Sequence, residues 1–86
     1  MRELERSLKA LANRRRLAIL KYLKEHKEAP VGEIAGAIKL SFKSTSRHLG
    51  VLSSRDILEK DQRSLQIFYS IASSQKPAVR TIISLL

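Results

Sequence analysis

The sequence predicts a mainly α-helical domain with a small β-hairpin (α+β), and three observations indicate this fold class. Before Arg55, leucine and isoleucine recur at helical spacing in short stretches that are separated by polar breaks. Between about residues 57 and 71 the apolar residues alternate and are rich in β-branched and aromatic types, which is typical of strands. Residues 76–86 return to helical spacing. We therefore predict the order α-α-α-α-β-β-α within one domain that covers residues 1–86.

The first two predicted helices each carry one apolar face. In the first, over residues 3–12, the leucines at helical spacing are Leu4, Leu8 and Leu11. The second is predicted from Arg14 to about Glu25, with Asn13 as the N-cap that accepts free backbone N–H groups. Its inward residues are expected to be Leu17, Ile19, Leu20 and Leu23.

The run Arg14-Arg15-Arg16 places cations at the start of the second helix, where the helix dipole disfavours them. A contact with phosphate would compensate for this, and so would a salt bridge to Glu3 or Glu5. A third alternative is that the effect of the dipole is too small to matter, and the residues alone leave all three open.

Residues 30–54 have the pattern of a helix-turn-helix. Pro30 suits the first turn of a third helix that runs to about Ile38, because its missing N–H is not needed there. Ser41 can cap the fourth helix. The inward stripe of the fourth helix is predicted to be Phe42, Thr45, Leu49 and Leu52. Its opposite face would collect Lys43, Ser44, Arg47, Gly50, Val51 and Ser54.

The fourth helix lies in a stretch without acidic residues. No Asp or Glu occurs between Ile34 and Arg55, although the chain has 8 acidic and 17 basic residues and a formal net charge of +9. A carboxylate on this face would repel DNA phosphate, whereas Arg can bond guanine with two N–H groups and Ser or Thr can bond several base edges. The residues expected to contact DNA are Lys43, Ser44, Thr45, Ser46, Arg47 and His48. The alternative is an ordinary solvated helix face.

The alternating residues predict a β-hairpin over about residues 57–71, and a hairpin directly after a helix-turn-helix forms a winged helix. The predicted turn, residues 61–64, contains Gln62, Arg63 and Ser64. We expect these side chains to contact the minor groove or its phosphates, since Arg in that groove senses its width. An ordinary polar turn is the alternative.

Three segments in this order, LKALANRRRLAIL, VGEIAGAIKLS and STSRHLGVLSSRDILE, resemble the ArsR-type family of small winged-helix repressors. The similarity covers about Leu8 to Ile71 and implies a homodimeric repressor that occludes a promoter, with a structural role for one of the three arginines. Two departures stand out. Pro30 and Gly32 occupy the positions of the family's metal-binding thiolates, and residues 75–86 lack the Asp and His of its other metal site, so no metal or other cofactor is expected. Asp56 replaces the usual glycine, and we expect it to adopt a left-handed turn.

The terminal helices, over residues 3–12 and 76–86, are expected to form a two-fold dimer interface. Its apolar residues would be Leu4, Leu8, Val79, Ile82 and Ile83. A small domain has a thin core, which favours this arrangement, and so does the family resemblance. The alternative is that these residues close the core of a single protomer.

Several function classes lack the residues they require. The chain contains no cysteine, and its two histidines have no companions at metal-ligand spacing. It also lacks a glycine-rich phosphate loop, paired carboxylates and a nucleophile elbow, so we expect no enzyme. No signal peptide and no apolar run of the ~20 residues that span a membrane is present, so the expected location is the cytoplasm.

The sequence thus predicts a sequence-specific, double-stranded DNA-binding transcriptional regulator, acting as a homodimeric repressor on an inverted-repeat operator. The main alternative is a sequence-indifferent architectural protein that binds DNA or RNA, because the net charge of +9 suits it equally. A third class, a winged helix used only for protein interaction, accounts poorly for this charge. The residues leave open whether a small-molecule or protein effector exists.

Overall fold

The structure, a computed structural model, describes residues 1–86 and has the predicted order of elements with one added strand. The elements are α1 (Arg2–Leu11), α2 (Arg14–His26), β1 (Glu28–Pro30), α3 (Val31–Ile38), α4 (Phe42–Ser54), β2 (Leu58–Arg63), β3 (Gln66–Ile71) and α5 (Pro77–Ser84). The predicted winged helix-turn-helix is thereby confirmed. No helix combines the length and the apolar character that crossing a membrane requires.

Side-chain caps define the starts of α2 and α4. The Asn13 side-chain oxygen accepts hydrogen bonds from the backbone N–H groups of Arg15 at 2.9 Å and Arg16 at 3.1 Å. The Ser41 hydroxyl oxygen accepts one from the backbone N–H of Ser44 at 3.1 Å. Both predicted caps are confirmed, and each satisfies N–H groups that have no partner within the helix.

The sheet has three antiparallel strands in the order β1-β3-β2, where the sequence predicted only a hairpin. The added strand, β1, lies between the second and third predicted helices and includes Pro30. It pairs Ala29 with Tyr69 and Pro30 with Phe68. Because β1 immediately precedes α3, this pairing connects the helix-turn-helix directly to the wing.

The turn of the wing lies further along the chain than predicted. Arg63 pairs with Gln66, so Ser64 and Leu65 alone form the turn. Ser64 has a φ of 58°, a left-handed conformation that suits the twist of a two-residue hairpin turn. Asp56, at the end of α4, also has a φ of 58°, as expected from its place in the sequence.

The core lies where α2, α3, α4 and the start of β2 meet. Its most deeply buried side chains are Ile19, Leu20, Leu23, Ile34, Leu49, Leu52 and Ile57. One member of the predicted inward stripe of α4 does not belong to it, since Phe42 is 62% exposed. Phe42 is the first residue of α4 and extends beyond the core to a groove beside the wing.

The apolar residues of the terminal helices divide into two groups. Val79 and Ile83 are buried in the protomer core, so assigning them to the dimer interface is wrong and the alternative reading holds for both. Ile82 is partly buried against the same core. Leu4 and Leu8, at 43% and 42% exposure, remain available on α1.

The Asn13→Ala substitution is expected to lower the free energy of unfolding by about 1 kcal/mol, because the backbone N–H groups of Arg15 and Arg16 would lose their acceptor. Urea denaturation followed by circular dichroism measures this difference. Asn13→Asp keeps the acceptor oxygen and is expected to retain the stability. Equal stability of the alanine and wild-type proteins would show that the cap is not needed.

Candidate nucleic-acid interface

The exposed face of α4 carries two cations that no carboxylate neutralises. Lys43 and Arg47 are both exposed, and all five ion pairs of the structure involve other residues. Ser44, Ser46 and His48 are partly exposed beside them. The structure therefore brings these five predicted contact residues onto one helix surface that is free to meet an anion.

Thr45 does not share this surface. It is completely buried, and its hydroxyl oxygen has no hydrogen-bond partner. Its helical position places it with Leu49 and Leu52 on the inner face of α4. The prediction that Thr45 contacts DNA is therefore wrong.

A single guanidinium joins α4 to the first two helices. Arg16 Nε donates to the carbonyl oxygen of Ala10 at 2.5 Å, and one Arg16 terminal nitrogen donates to that of Lys9 at 3.3 Å. The other terminal nitrogen lies 3.1 Å from His48 Nδ1. Because a guanidinium only donates hydrogen bonds, His48 must accept through Nδ1 and carry its proton on Nε2.

The three arginines at the start of α2 therefore differ in their surroundings. Arg16 is the structural arginine, whereas Arg14 is exposed and Arg15 partly exposed. The alternative of a salt bridge from this run to Glu3 or Glu5 does not occur, since those carboxylates pair with Arg55, Lys76 and Lys9 instead. Sequence reasoning identified the run but could not identify its contact with His48, which is remote in the chain.

His48 lies in an environment that favours its neutral form. Partial burial lowers the pKa of the imidazole, and the charges of Arg16, Arg15 and Arg47 lower it further. These three charges are close enough to act on one ring, so the basic surface of α4 continues onto the N-terminal turn of α2.

The wing carries all three of its predicted contact residues at the surface, but Arg63 already has partners. Its two terminal nitrogens donate to the Glu28 carboxylate at 2.7 Å and 2.8 Å, and Nε donates to Asp61 at 2.9 Å. The guanidinium carbon lies 4.5 Å from the centre of the Phe68 ring. Hydrogen bonds from Arg63 lower the pKa of the Glu28 carboxyl. Gln62 and Ser64 are exposed without such contacts.

These contacts fix Arg63 against β1, the strand that the sequence did not reveal. A bidentate pair with a carboxylate constrains both partners more than a single hydrogen bond does. To reach a phosphate, Arg63 would have to exchange at least one carboxylate for it.

The exposed leucines of α1 form an apolar surface that two charged residues border. Leu4 and Leu8 line a shallow cavity of about 340 Å³ together with Met1, Ala12, Glu5 and Lys9. Leu4 and Leu8 are therefore the residues of the predicted dimer interface that remain outside the protomer core.

Comparison with known proteins agrees with this architecture. The model of the family described as bacterial regulatory protein, arsR family, matches residues 13–60. The transcriptional activator HlyU of Vibrio cholerae is 35% identical over 79 residues, which cover 92% of this chain and 69% of HlyU.

Two solved structures show the same fold at similar identity. The homodimeric winged helix-turn-helix DNA-binding domain Mb0332 of Mycobacterium bovis has a TM-score of 0.81 and 32% identity, over 96% of this chain and 73% of that one. The transcriptional repressor PagR of Bacillus anthracis has a TM-score of 0.76 and 34% identity, over 95% and 93% of the two chains.

His48 is expected to make stability fall as the solution is acidified. The pKa of its imidazole is lower in the folded than in the unfolded protein, so below the ordinary value of 6.5 the unfolded state binds more protons. The stability contributed by neutral His48 is therefore present above this pH and lost as the pH falls through the folded-state pKa. His48→Asn keeps an acceptor at the position of Nδ1 for Arg16 without titrating, and should reduce the decrease in unfolding free energy between about pH 7.5 and about pH 5. Urea denaturation at both pH values measures the unfolding free energy. Equal decreases in the wild-type protein and the His48 variant would contradict this role of His48.

Proposed function

The chain belongs to the arsR family of bacterial regulatory proteins, and from that premise we propose that it binds an inverted-repeat operator as a homodimer and represses transcription. It is a DNA-binding transcription regulator of the winged helix-turn-helix type. The observation that carries the proposal is the exposed face of α4, whose cations have no carboxylate partner.

In the proposed complex α4 enters the major groove. Arg47 supplies a guanidinium that can bond guanine with two N–H groups, and Lys43 supplies a second cation in the first turn. Ser44 and Ser46 offer hydroxyls that bond base edges or phosphates. His48, whose Nδ1 accepts from Arg16, offers its Nε2–H to a phosphate.

We propose that the wing, through Gln62, Arg63 and Ser64, lies against the minor groove or its phosphates. The pair between Arg63 and Glu28 supports this role indirectly, because it holds the hairpin in a fixed position relative to the helix-turn-helix. A held wing loses less conformational freedom when DNA binds.

The proposed dimer uses the apolar surface of α1. Leu4 and Leu8 are exposed, large and adjacent, and Ile82 of α5 is partly exposed. The homodimeric state of the Mycobacterium bovis domain supports this assembly. A two-fold dimer would place its two α4 helices about 34 Å apart, which corresponds to one turn of DNA.

Repression is proposed from the binding mode, because a protein that covers a promoter excludes the polymerase. The relatives include an activator, HlyU, and a repressor, PagR. We propose that the protein acts in the cytoplasm, where bacterial DNA lies.

The second candidate is a sequence-indifferent nucleic-acid binder, which the net charge of +9 favours. Phe42 is the one aromatic ring that is mainly exposed. Proteins that hold single strands stack successive bases on several such rings. The geometry therefore supports the operator-binding function better.

Selection of the purified protein on a random duplex library at physiological salt tests the proposed function. Enrichment of an inverted repeat with half-sites about one turn apart would support a dimeric operator-binding regulator. If the protein binds duplex DNA without enriching any sequence, and if this binding weakens steeply as salt rises, the proposed function is overturned and the architectural candidate is favoured.

The Arg47→Ala substitution is expected to weaken binding to the selected operator by about 1–3 kcal/mol and binding to random duplex by less, because a base contact is lost. Arg80→Ala removes the same charge from α5, away from α4, and serves as the matched control. Arg63→Ala is expected to weaken both duplexes more evenly. Fluorescence anisotropy titrations measure all three, and an unchanged operator affinity of Arg47→Ala would contradict the placement of this face.

The Leu4→Asp, Leu8→Asp double substitution is expected to convert a dimer into a monomer, because charges would be buried at the interface without partners. Sedimentation at micromolar concentration measures the change. Leu65→Asp, at a leucine on the wing that is 97% exposed, should leave the dimer intact. A monomeric wild-type protein, or a dimeric double variant, would contradict the proposed interface.

A further inference from the structure

A groove of about 380 Å³ separates the wing from the helix-turn-helix. Its walls are the start of α3, the beginning of α4, the turn of the wing and strand β3. None of the residues that line it is charged, although 29% of the chain is Asp, Glu, Lys or Arg. An uncharged concave surface next to a strongly basic helix requires an explanation of its own.

The rim of the groove exposes two large apolar side chains. Phe42 on α4 is 62% exposed and Leu65 on the wing is 97% exposed. Both are lining residues, together with Ile67 of β3. Apolar groups that face each other across a concave surface gain free energy when a third apolar body fills the space between them.

Three polar side chains line this groove, those of Ser46, Gln66 and Tyr69, and Tyr69 is the most buried of them. Its side chain lines the groove and is only 7% exposed. Burial raises the pKa of its phenol, so the hydroxyl stays protonated. The hydroxyl of Tyr22 donates to Glu33, whereas that of Tyr69 forms no hydrogen bond within the protein. The buried side-chain atoms without a partner are Thr45 Oγ1 and Ser53 Oγ, so the Tyr69 hydroxyl itself reaches solvent and is open to a ligand.

We propose that the groove is a binding site for a small uncharged molecule with an apolar body and at least one hydrogen-bonding group. The apolar body would lie between Phe42, Leu65 and Ile67, and the polar group would bond the Tyr69 hydroxyl. The volume falls within the range of about 300–1,000 Å³ that is usual for small-molecule sites. An ionic ligand would have no countercharge here, and a metal ion would have no Cys, His, Asp or Glu ligand.

The location of the site couples it to DNA, a consequence that rests on the proposed function. Phe42 is the neighbour of Lys43 on α4, and Leu65 is the neighbour of Ser64 on the wing. An occupant therefore contacts both elements that are proposed to touch DNA, beside the side chains proposed to meet the duplex. By linkage, a ligand that lowers operator affinity is itself bound less tightly in the presence of the operator, by the same factor.

The test measures binding of N-phenyl-1-naphthylamine, an uncharged fluorescent probe with one N–H group, to the full chain without DNA. Saturable enhancement of its fluorescence is expected for the wild-type protein. Gly32 and Gly36 both lie on α3 with nothing within 4 Å of an added Cβ, but only Gly32 lines the groove. Gly32→Leu should weaken probe binding at least tenfold, and Gly36→Leu, the matched control, should bind as wild type.

Tyr69→Phe removes only the hydroxyl and should weaken binding about three- to tenfold, as expected for one neutral hydrogen bond. The proposal is overturned by the absence of saturable binding, by a Gly32→Leu variant that binds as wild type, or by binding that is lost instead in Leu4→Ser, Leu8→Ser. It is also overturned if the probe does not bind and Gly32→Leu weakens operator binding, since the groove would then be a DNA contact.

A separate titration of operator DNA with saturating probe tests the coupling. Operator affinity is expected to fall at least threefold in the wild-type protein and to stay unchanged in Gly32→Leu. Because the probe is first bound without DNA, failure of the ligand site and failure of operator binding appear in different assays. Probe binding without any change in operator affinity would contradict the coupling.

Discussion

The Arg16 guanidinium is the contact on which the geometry of the proposed DNA-binding surface depends. Arg16 lies in the first turn of α2, and its guanidinium bonds the carbonyl oxygens of Lys9 and Ala10 at the end of α1 and contacts His48 in the middle of α4. The helix that carries the proposed dimer surface and the helix that carries the proposed base contacts are thereby tied to one side chain. In the proposed dimer, the position of α4 relative to α1 contributes to the distance between the two α4 helices. The cost of an arginine at a helix start, where the dipole disfavours it, is offset by this arrangement.

A second set of contacts, all of which involve β1, holds the wing in place. Three backbone pairs join β1 to β3, and the bidentate contact between Arg63 and Glu28 adds a side-chain bond between the hairpin and the same short strand. Since β1 continues directly into α3, the hairpin cannot move far without moving the helix-turn-helix. The groove lined by Phe42 and Tyr69 lies in the angle between these joined parts. A ligand bound there would contact both proposed DNA-contacting elements, α4 and the wing.

Local chemistry was predictable from the sequence, and distant pairing was not. The caps Asn13 and Ser41 act on N–H groups within three residues, so composition and spacing suffice to identify them. The strand Glu28–Pro30 is too short to show alternation and exists only because β3 lies beside it. Helical spacing also states which face is apolar without stating what covers it. Helical spacing therefore grouped Phe42 with the core, although Phe42 is mainly exposed. It also assigned Val79 to a dimer interface, although Val79 is buried within the protomer.

The two-residue turn at Ser64 and Leu65 restricts how the wing can change over evolutionary time. In a hairpin, successive side chains alternate between faces, so a single inserted residue beyond the turn would turn Tyr69 outward and its neighbours inward. Lineages that lengthen this hairpin therefore gain residues in matched pairs, one on each strand, or accommodate a single extra residue in a β-bulge. Substitutions at position 64 are limited as well, because its φ of 58° favours Gly, Asn or Asp over β-branched residues. Without a bulge, the length of the wing changes in steps of one residue pair.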